Sequence, residues 1–442
     1  MGFSTSHFHA VPGTARKNAW LLLLVLAIAP LALAVSSFAP QSRLGYRTGD
    51  QWEPAMAADS HGHLYVLYPQ YGAVPDCSAC TAPTIALLIS DDNGLTWHPS
   101  RAMLPFPTGQ FDPQIVVDPQ DHQTVYASWM QNNKRDIIVA RSLDFGRNWS
   151  FSFAERGPAD ADKPVLAVRG TDVYVGFNHE QKFFVAASHD AGQTFNVANV
   201  NPNSQPGWSL AGGATVDPAG NVFFGWTEYA RYDMPTRPVS IYISRSSDAG
   251  RSWSTLLLDQ SSAPPACEAQ HCETGYLGAQ IALASDAAGA LYALWNAGSA
   301  NGGPERIYFS SSTTAGVTWS ARVSVSSAAA NVEHGFPALV AGAPGDVRIA
   351  WMDTRVRQAA RPNQSLWNTF YRSSTNGGAT WSAETRLSGP AQGYDYILPG
   401  GFRFPFGDYF SLAIDNEGAT HAVWGEGRDY KSPGSIWYTH GR

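Results

Sequence analysis

One eight-residue phrase, close to Ser-x-Asp-x-Gly-x-Thr-Trp, is written six times along this chain. The copies are Ser90–Trp97, Ser142–Trp149, Ser188–Phe195, Ser246–Trp253, Ser312–Trp319 and Ser374–Trp381, and they recur every 46 to 66 residues. A period of that length marks an array of small β units that stack to make a shared core. It argues against one compact α/β core.

Each phrase follows a short alternating strand. Seven such strands are predicted: Thr84–Ser90, Asp136–Ser142, Lys182–Ser188, Ser240–Ser246, Arg306–Ser312, Thr369–Ser374 and Ser435–Gly441. Ahead of each lies a strand ending in an aromatic, at Tyr68, Trp129, Phe177, Trp226, Trp295, Trp351 and Trp424. Ahead of those lies a third strand type. It opens at Glu53-Pro54, Asp112-Pro113, Lys163-Pro164, Gly212-Gly213, Ala279-Gln280, Phe336-Pro337 and Asp408-Tyr409. Tight turns such as Asp217–Gly220, Asp286–Gly289 and Asp415–Gly418 end it, because Asp bonds its own backbone and Gly accepts positive φ. With a fourth strand after each phrase, the unit is a four-stranded antiparallel blade, and radial repetition of such blades is a β-propeller. The chain is therefore predicted to be all-β, with seven blades. Six phrases leave a six-bladed ring as the alternative count. The seventh blade lacks its own outer strand, and an open edge is an association hazard. Arg43–Thr48 is expected to supply that strand and close the ring.

Composition narrows the partners. The net charge is -7 with no Lys/Arg run, which excludes a phosphate-binding nucleic-acid surface. Near the N-terminus, Arg16 and Lys17 precede the apolar run Ala19–Val35. That order reads as a signal peptide or a membrane anchor over residues 1–40, with residues 41–442 forming the propeller. Either reading exports the ring, leaving it secreted, periplasmic or tethered by residues 19–35, with the membrane met only through that segment. The four cysteines form two close pairs, Cys77/Cys80 and Cys267/Cys272. Outside the cytosol such spacings are expected to be disulfides. A four-thiolate zinc site is the rival reading, but the pairs fall on blades nearly across the ring. No cofactor is expected. Asp-rich turns could hold calcium, yet no spacing specifies it.

In a four-stranded meander the first and third turns share one face, so the phrases and the tight turns lie together. The opposite face receives the long segments, and function on scaffolds concentrates in such loops. Its mouth is predicted to gather Glu53, Asp112, Asp162, Lys163, Glu333, His334, Asp408 and Tyr409 from the inner strands. Asp353, Arg355, Glu426 and Arg428 come from the second strands. Carboxylates and arginines ringed by aromatics suit a sugar. Trp351-x-Asp353-x-Arg355 and Trp424-x-Glu426-x-Arg428 repeat one pattern, which also reads as a blade-stabilising ion pair.

The phrase closely resembles the Asp-box, or bacterial neuraminidase repeat, of sialidase-like propellers, and the resemblance runs from about residue 45 to the end. It implies that Ser and Asp bond the turn's own backbone. Asp92, Asp144, Asp190 and Asp248 would do so, while Thr314 and Asn376 replace Asp and should make weaker turns. It further implies an exo-glycosidase using a tyrosine nucleophile, a glutamate partner, an acid/base aspartate and arginines for a substrate carboxylate. Asp408-Tyr409-Phe-Ser-Leu412 matches the nucleophile stretch, so Tyr409 is the expected nucleophile, with Glu333 or Glu426 as partner and Asp112 as acid/base. Arg355, Arg428, Arg47 and Asp408 are the expected substrate-binding residues. The family's Arg-Ile-Pro opening falls on Trp52-Glu53-Pro54, where the arginine is missing. A non-catalytic propeller that binds a glycan or a protein partner is the other function class.

Overall fold

The computed structural model describes His9 and residues 37–442, apart from 76, 158–160, 180–181, 202–207, 230–237, 264–277, 358–364, 390, 393–406 and 427–433. Its strands form seven separate antiparallel sheets, each a blade of a seven-bladed β-propeller. The third strands run Thr84–Ser90, Asp136–Ser142, Lys182–Ser188, Val239–Ser246, Glu305–Ser312, Ser365–Ser374 and Ser435–Gly441. The repeated phrase punctuates the ends of the first six, which explains why the sequence located them closely. No helix among the described residues is long and apolar enough to cross a membrane.

The core lies between blades. Alternating apolar residues of one sheet meet those of the next: Leu67 and Leu87 of blade one pack with Ile115, Trp129 and Ile138 of blade two. The second-strand aromatics are fully buried, and three of the tryptophans bond a side chain two residues on. Trp129 Nε1 donates to Gln131 Oε1 (3.1 Å), Trp351 Nε1 to Asp353 Oδ2 (2.9 Å) and Trp424 Nε1 to Glu426 Oε2 (2.7 Å). A buried indole that keeps its hydrogen bond adds aromatic area without an orphaned donor.

The six boxes are turns built by their own side chains. Ser90 Oγ accepts from Gly94 N (2.9 Å), and Asp92 accepts from Thr96 N (2.8 Å) and Thr96 Oγ1 (2.6 Å). Thr314 and Asn376 take the Asp role with the same bonds: each accepts from the backbone N–H four residues on, at 2.9 Å. Two successive residues per turn are left-handed, not the glycine alone. Phe145, Ala191, Ala249 and Ala315 hold φ of 61°, 62°, 59° and 49° just ahead of their glycines. The box glycine touches the preceding blade. A Cβ on Gly146 would press Tyr65 and Ile89, and one on Gly94 or Gly378 would overlap Tyr438 or Phe309.

The seventh blade, Ser411–Ile414, Thr420–Glu426 and Ser435–Gly441, has no box and takes its fourth strand from Ser42–Arg43. Ser42 pairs with Tyr438 and Arg43 with Trp437. The pairing extends from Ser37, bonded to Arg442 O (3.2 Å), to Leu44, bonded to Ile436 O (3.0 Å). The closing segment therefore lies several residues earlier than Arg43–Thr48. Gly45, at φ 75°, turns the chain away, and Tyr46–Thr48 join blade one through Tyr68 Oη and Gln70 Nε2. Phe38 packs edge-on against Tyr371 of blade six (4.9 Å), at the one junction that no box fastens.

Candidate functional site

The inner strands carry a repeated irregularity. Glu53, Asp112, Lys163 and Phe336 have φ of 52°, 51°, 49° and 53°, each directly before a proline. A residue in that position ordinarily stays extended, and left-handed backbone strains any side chain but glycine's. Register shifts accompany it between Phe111 and Gln114, Asp162 and Val165, and Gly335 and Ala338. These are β-bulges, which re-aim a side chain out of its normal alternation. Blades one, two and three use them to bring Glu53, Asp112 and Lys163 to one end of the central channel, where blade seven adds Asp408 and Tyr409.

The groups interact closely. Lys163 Nζ forms an ion pair with Asp408 and stands 4.6 Å from the Tyr409 ring centroid. Tyr409 Oη donates to Pro113 O at 3.1 Å, joining blade seven to blade two. Glu53, Asp112, Lys163 and Asp408 are all buried. Burial, then the neighbouring Asp408 and Asp112, pushes the Glu53 carboxyl well up. Burial, with Asp162 and Asp408, raises Asp112 to about 7 against the pull of Lys134 and Lys163. Burial opposes the charge on Lys163, but Asp408, Asp112 and Glu53 outweigh it and hold the ammonium above its ordinary value. Tyr409 is pushed well up by burial and the same carboxyls. At neutral pH the cluster thus holds carboxyl protons and a neutral phenol beside one ammonium. A cavity of about 180 Å³ runs below it, lined among others by Lys163, Gln280, Asp408 and Tyr409. At the box end the channel widens to about 670 Å³ between apolar walls that include Val117, Pro119, Pro218 and Ile414.

Of the residues expected at the mouth, Glu53, Asp112, Lys163, Asp408 and Tyr409 come together, while no contact among the described residues joins Glu333, Glu426, Arg355 or Arg47 to them. Glu426 is buried on blade seven. It accepts from Trp424 Nε1 and from Gln41 Nε2 (2.7 Å), and burial raises it to about 7. Glu333 lies beside Glu305 between blades five and six, its Oε2 accepting from Glu305 N (3.1 Å), and burial raises it to about 8. Arg355 grips Asp353 through Nε (2.9 Å) and Nη2 (2.6 Å) and reaches Glu384 (2.6 Å), so it is the intrablade ion pair that the repeated pattern suggested. Arg47 is exposed. Arg428, Cys267 and Cys272 lie outside the described residues, and Cys77 is bonded to Cys80. Among the described residues, no group of three or more His, Cys, Asp or Glu is arranged to hold a metal. Lys163 and Glu53 were visible as openers of inner strands, and the shared residue-before-proline position was the signal that singled them out. Tyr71, whose ring stacks on Trp52 at 4.0 Å and whose burial among these carboxyls raises it well up, had no such signal.

The fold is a seven-bladed β-propeller whose blades are fastened by turns of the Asp-box type. Residues 88–99 match the BNR/Asp-box repeat family. No curated protein sequence matches the chain. Among solved structures, a protein of unknown function from Dyadobacter fermentans is 13% identical. The match covers 92% of this chain and 98% of that one, with a TM-score of 0.50. An ulvan lyase of a new polysaccharide lyase family is also 13% identical, over 89% of this chain and 95% of that one, with a TM-score of 0.52. A Hadza microbial sialidase is 15% identical over 88% of this chain and 65% of that one, with a TM-score of 0.46.

Proposed function

We propose that the protein is an exported propeller that engages glycans at the loop-face mouth, over Glu53, Asp112, Asp408, Lys163 and Tyr409. The observation that supports this is the convergence of these side chains from four inner strands, three of them through strained bulges. Strain of that kind costs of order 1–3 kcal/mol per site and persists where the surrounding structure over-determines it, commonly at functional sites. Buried carboxyls that keep a proton near neutrality can donate it to a glycosidic oxygen, which is the acid half of glycoside chemistry. Asp112 is the proposed donor. Export is assigned to residues 19–35.

Two specific observations bear on the chemistry. Lys163 and Glu53 beside Tyr409 suit a tyrosine nucleophile of a retaining exo-glycosidase. Against that, the Tyr409 hydroxyl donates to a backbone carbonyl and Arg355 is committed to Asp353 and Glu384, which suits a scaffold that binds a glycan or protein without cleaving it. The deciding experiment measures both binding and product release on a mixed glycoconjugate panel, with wild type, Asp112→Asn and Tyr409→Phe. Release lost in Asp112→Asn but kept in Tyr409→Phe supports the carboxyl donor. Release lost in both brings the tyrosine nucleophile forward. Binding without release by the wild type leaves the non-catalytic scaffold, and neither binding nor release rejects the glycan reading.

A further inference from the structure

We propose that this mouth selects a carbohydrate bearing a free primary ammonium, a deacetylated amino sugar, over one bearing a carboxylate. The inference rests on the reading that glycans seat at the mouth, and it concerns which glycan.

The balance of charge carries it. Among the described residues three carboxyl groups, Glu53, Asp112 and Asp408, face one ammonium, Lys163, and that ammonium is already paired with Asp408. The next cation, Lys134, is held by Asp162 at 3.1 Å. Tyr71 and Tyr409 complete the titratable groups of the cluster, and both are neutral. Glu53 is only 1% exposed, and its Oε1 accepts no hydrogen bond from an N–H or hydroxyl donor, its carboxyl facing Asp408. A buried polar atom without a partner, Gln280 Nε2, belongs to a side chain lining the same cavity. It is an amide donor placed for a sugar hydroxyl or ring oxygen.

A carboxylated sugar would bring a further negative charge to this cluster. Among the described residues the one ammonium there is taken, and Arg355, one of three arginines expected to receive the carboxylate, is held by Asp353 and Glu384. An ammonium supplies the counter-charge that lets one of the protonated carboxyls ionise. As it docks, Glu53 or Asp112 releases its proton to solvent, and the ligand amine stays protonated as an ion pair with the carboxylate formed. Opposite charge within about 4–6 Å favours the ionised carboxyl, so binding and proton release are linked.

The test is calorimetric titration of the full chain with glucosamine trimer, N-acetylglucosamine trimer and a glucuronate-containing trisaccharide. Each is run in two buffers that differ in ionisation enthalpy. The glucosamine trimer is expected to bind at least tenfold tighter than its acetylated counterpart, to bind more tightly still relative to the acidic sugar, and to release protons to the buffer. Glu53→Gln and Asp112→Asn, each checked for an intact thermal transition, should narrow that preference at least fivefold. Because these groups are buried, the change separates the mouth from diffuse attraction by the protein's net negative charge. Equal or tighter binding of the neutral or acidic sugar overturns the inference and leaves the glycan reading standing. A preference that survives both variants also overturns it. So does competition by an oligolysine peptide as strong as by the amino sugar, since the mouth would then take basic protein chains. Absence of binding by any of the three sugars brings down the reading on which it rests.

Discussion

Single positions in the boxes combine two demands. Ala191 and Ala249 sit in left-handed backbone that their Cβ atoms resist, and each is followed by a glycine facing the preceding blade. Replacing Ala191 by Gly should relieve the strain and raise stability by up to ~1 kcal/mol, read by chemical denaturation. Gly94→Ala should do the opposite. It adds a Cβ where the Tyr438 hydroxyl stands, in backbone at φ 79°, and a loss of about 2 kcal/mol or more is expected. Arg355 gives a second residue-scale test. Its partner Asp353 is fully buried, so Arg355→Ala leaves an uncompensated carboxylate and should cost about 3 kcal/mol in the same measurement. A stability unchanged by that substitution would release Arg355 for ligand binding.

At the scale of elements, the blades were legible because two signals coincide. Alternation fixes each third strand, and the box fixes where it stops. The closing strand was placed several residues late, because Gly45 is where that segment leaves blade seven and nothing in Arg43–Thr48 marks the pairing partner. Its importance is testable. Deleting residues 37–44 exposes the edge of Ser435–Gly441 and removes Phe38 from Tyr371, and it should lower the melting temperature by about 5 °C or more. The site was legible in part. Glu53, Asp112, Lys163, Asp408 and Tyr409 were expected at the mouth and do meet there. Glu333 and Glu426 were expected with them, but Glu333 lies between blades five and six with one oxygen on Glu305 N, and the Glu426 carboxyl is taken up by Trp424 and Gln41. Pattern spacing places a residue on a strand. It cannot show which side chain a bulge turns inward, or which partner two residues away has already claimed its oxygens.

The whole molecule should show an inverted response to pH. Asp112 and Glu426 are raised to about 7 and Glu333 to about 8, so the folded ring keeps protons that an unfolded chain sheds near pH 4. A native state that binds more protons than the unfolded chain loses stability as pH rises, here across about pH 4 to 8. The box residues Asp92, Asp144, Asp190 and Asp248 have the opposite sign. Hydrogen bonds from their own turns lower them, and their contribution is lost as pH falls below about 4. The melting temperature should therefore peak near pH 4–5, and Asp112→Asn should flatten its alkaline limb. A peak at pH 7–8 would count against protonated carboxyls in the mouth.

Ring closure also has a timetable. Ala39 O accepts from Thr439 Oγ1, a bond between positions 400 residues apart. At roughly 5–20 residues per second of synthesis, the early segment waits about 20–80 s before its partner strand exists. Throughout that interval the nascent protein is an open arc with two unpaired ends, and the cell must keep each from finding the matching end of another copy.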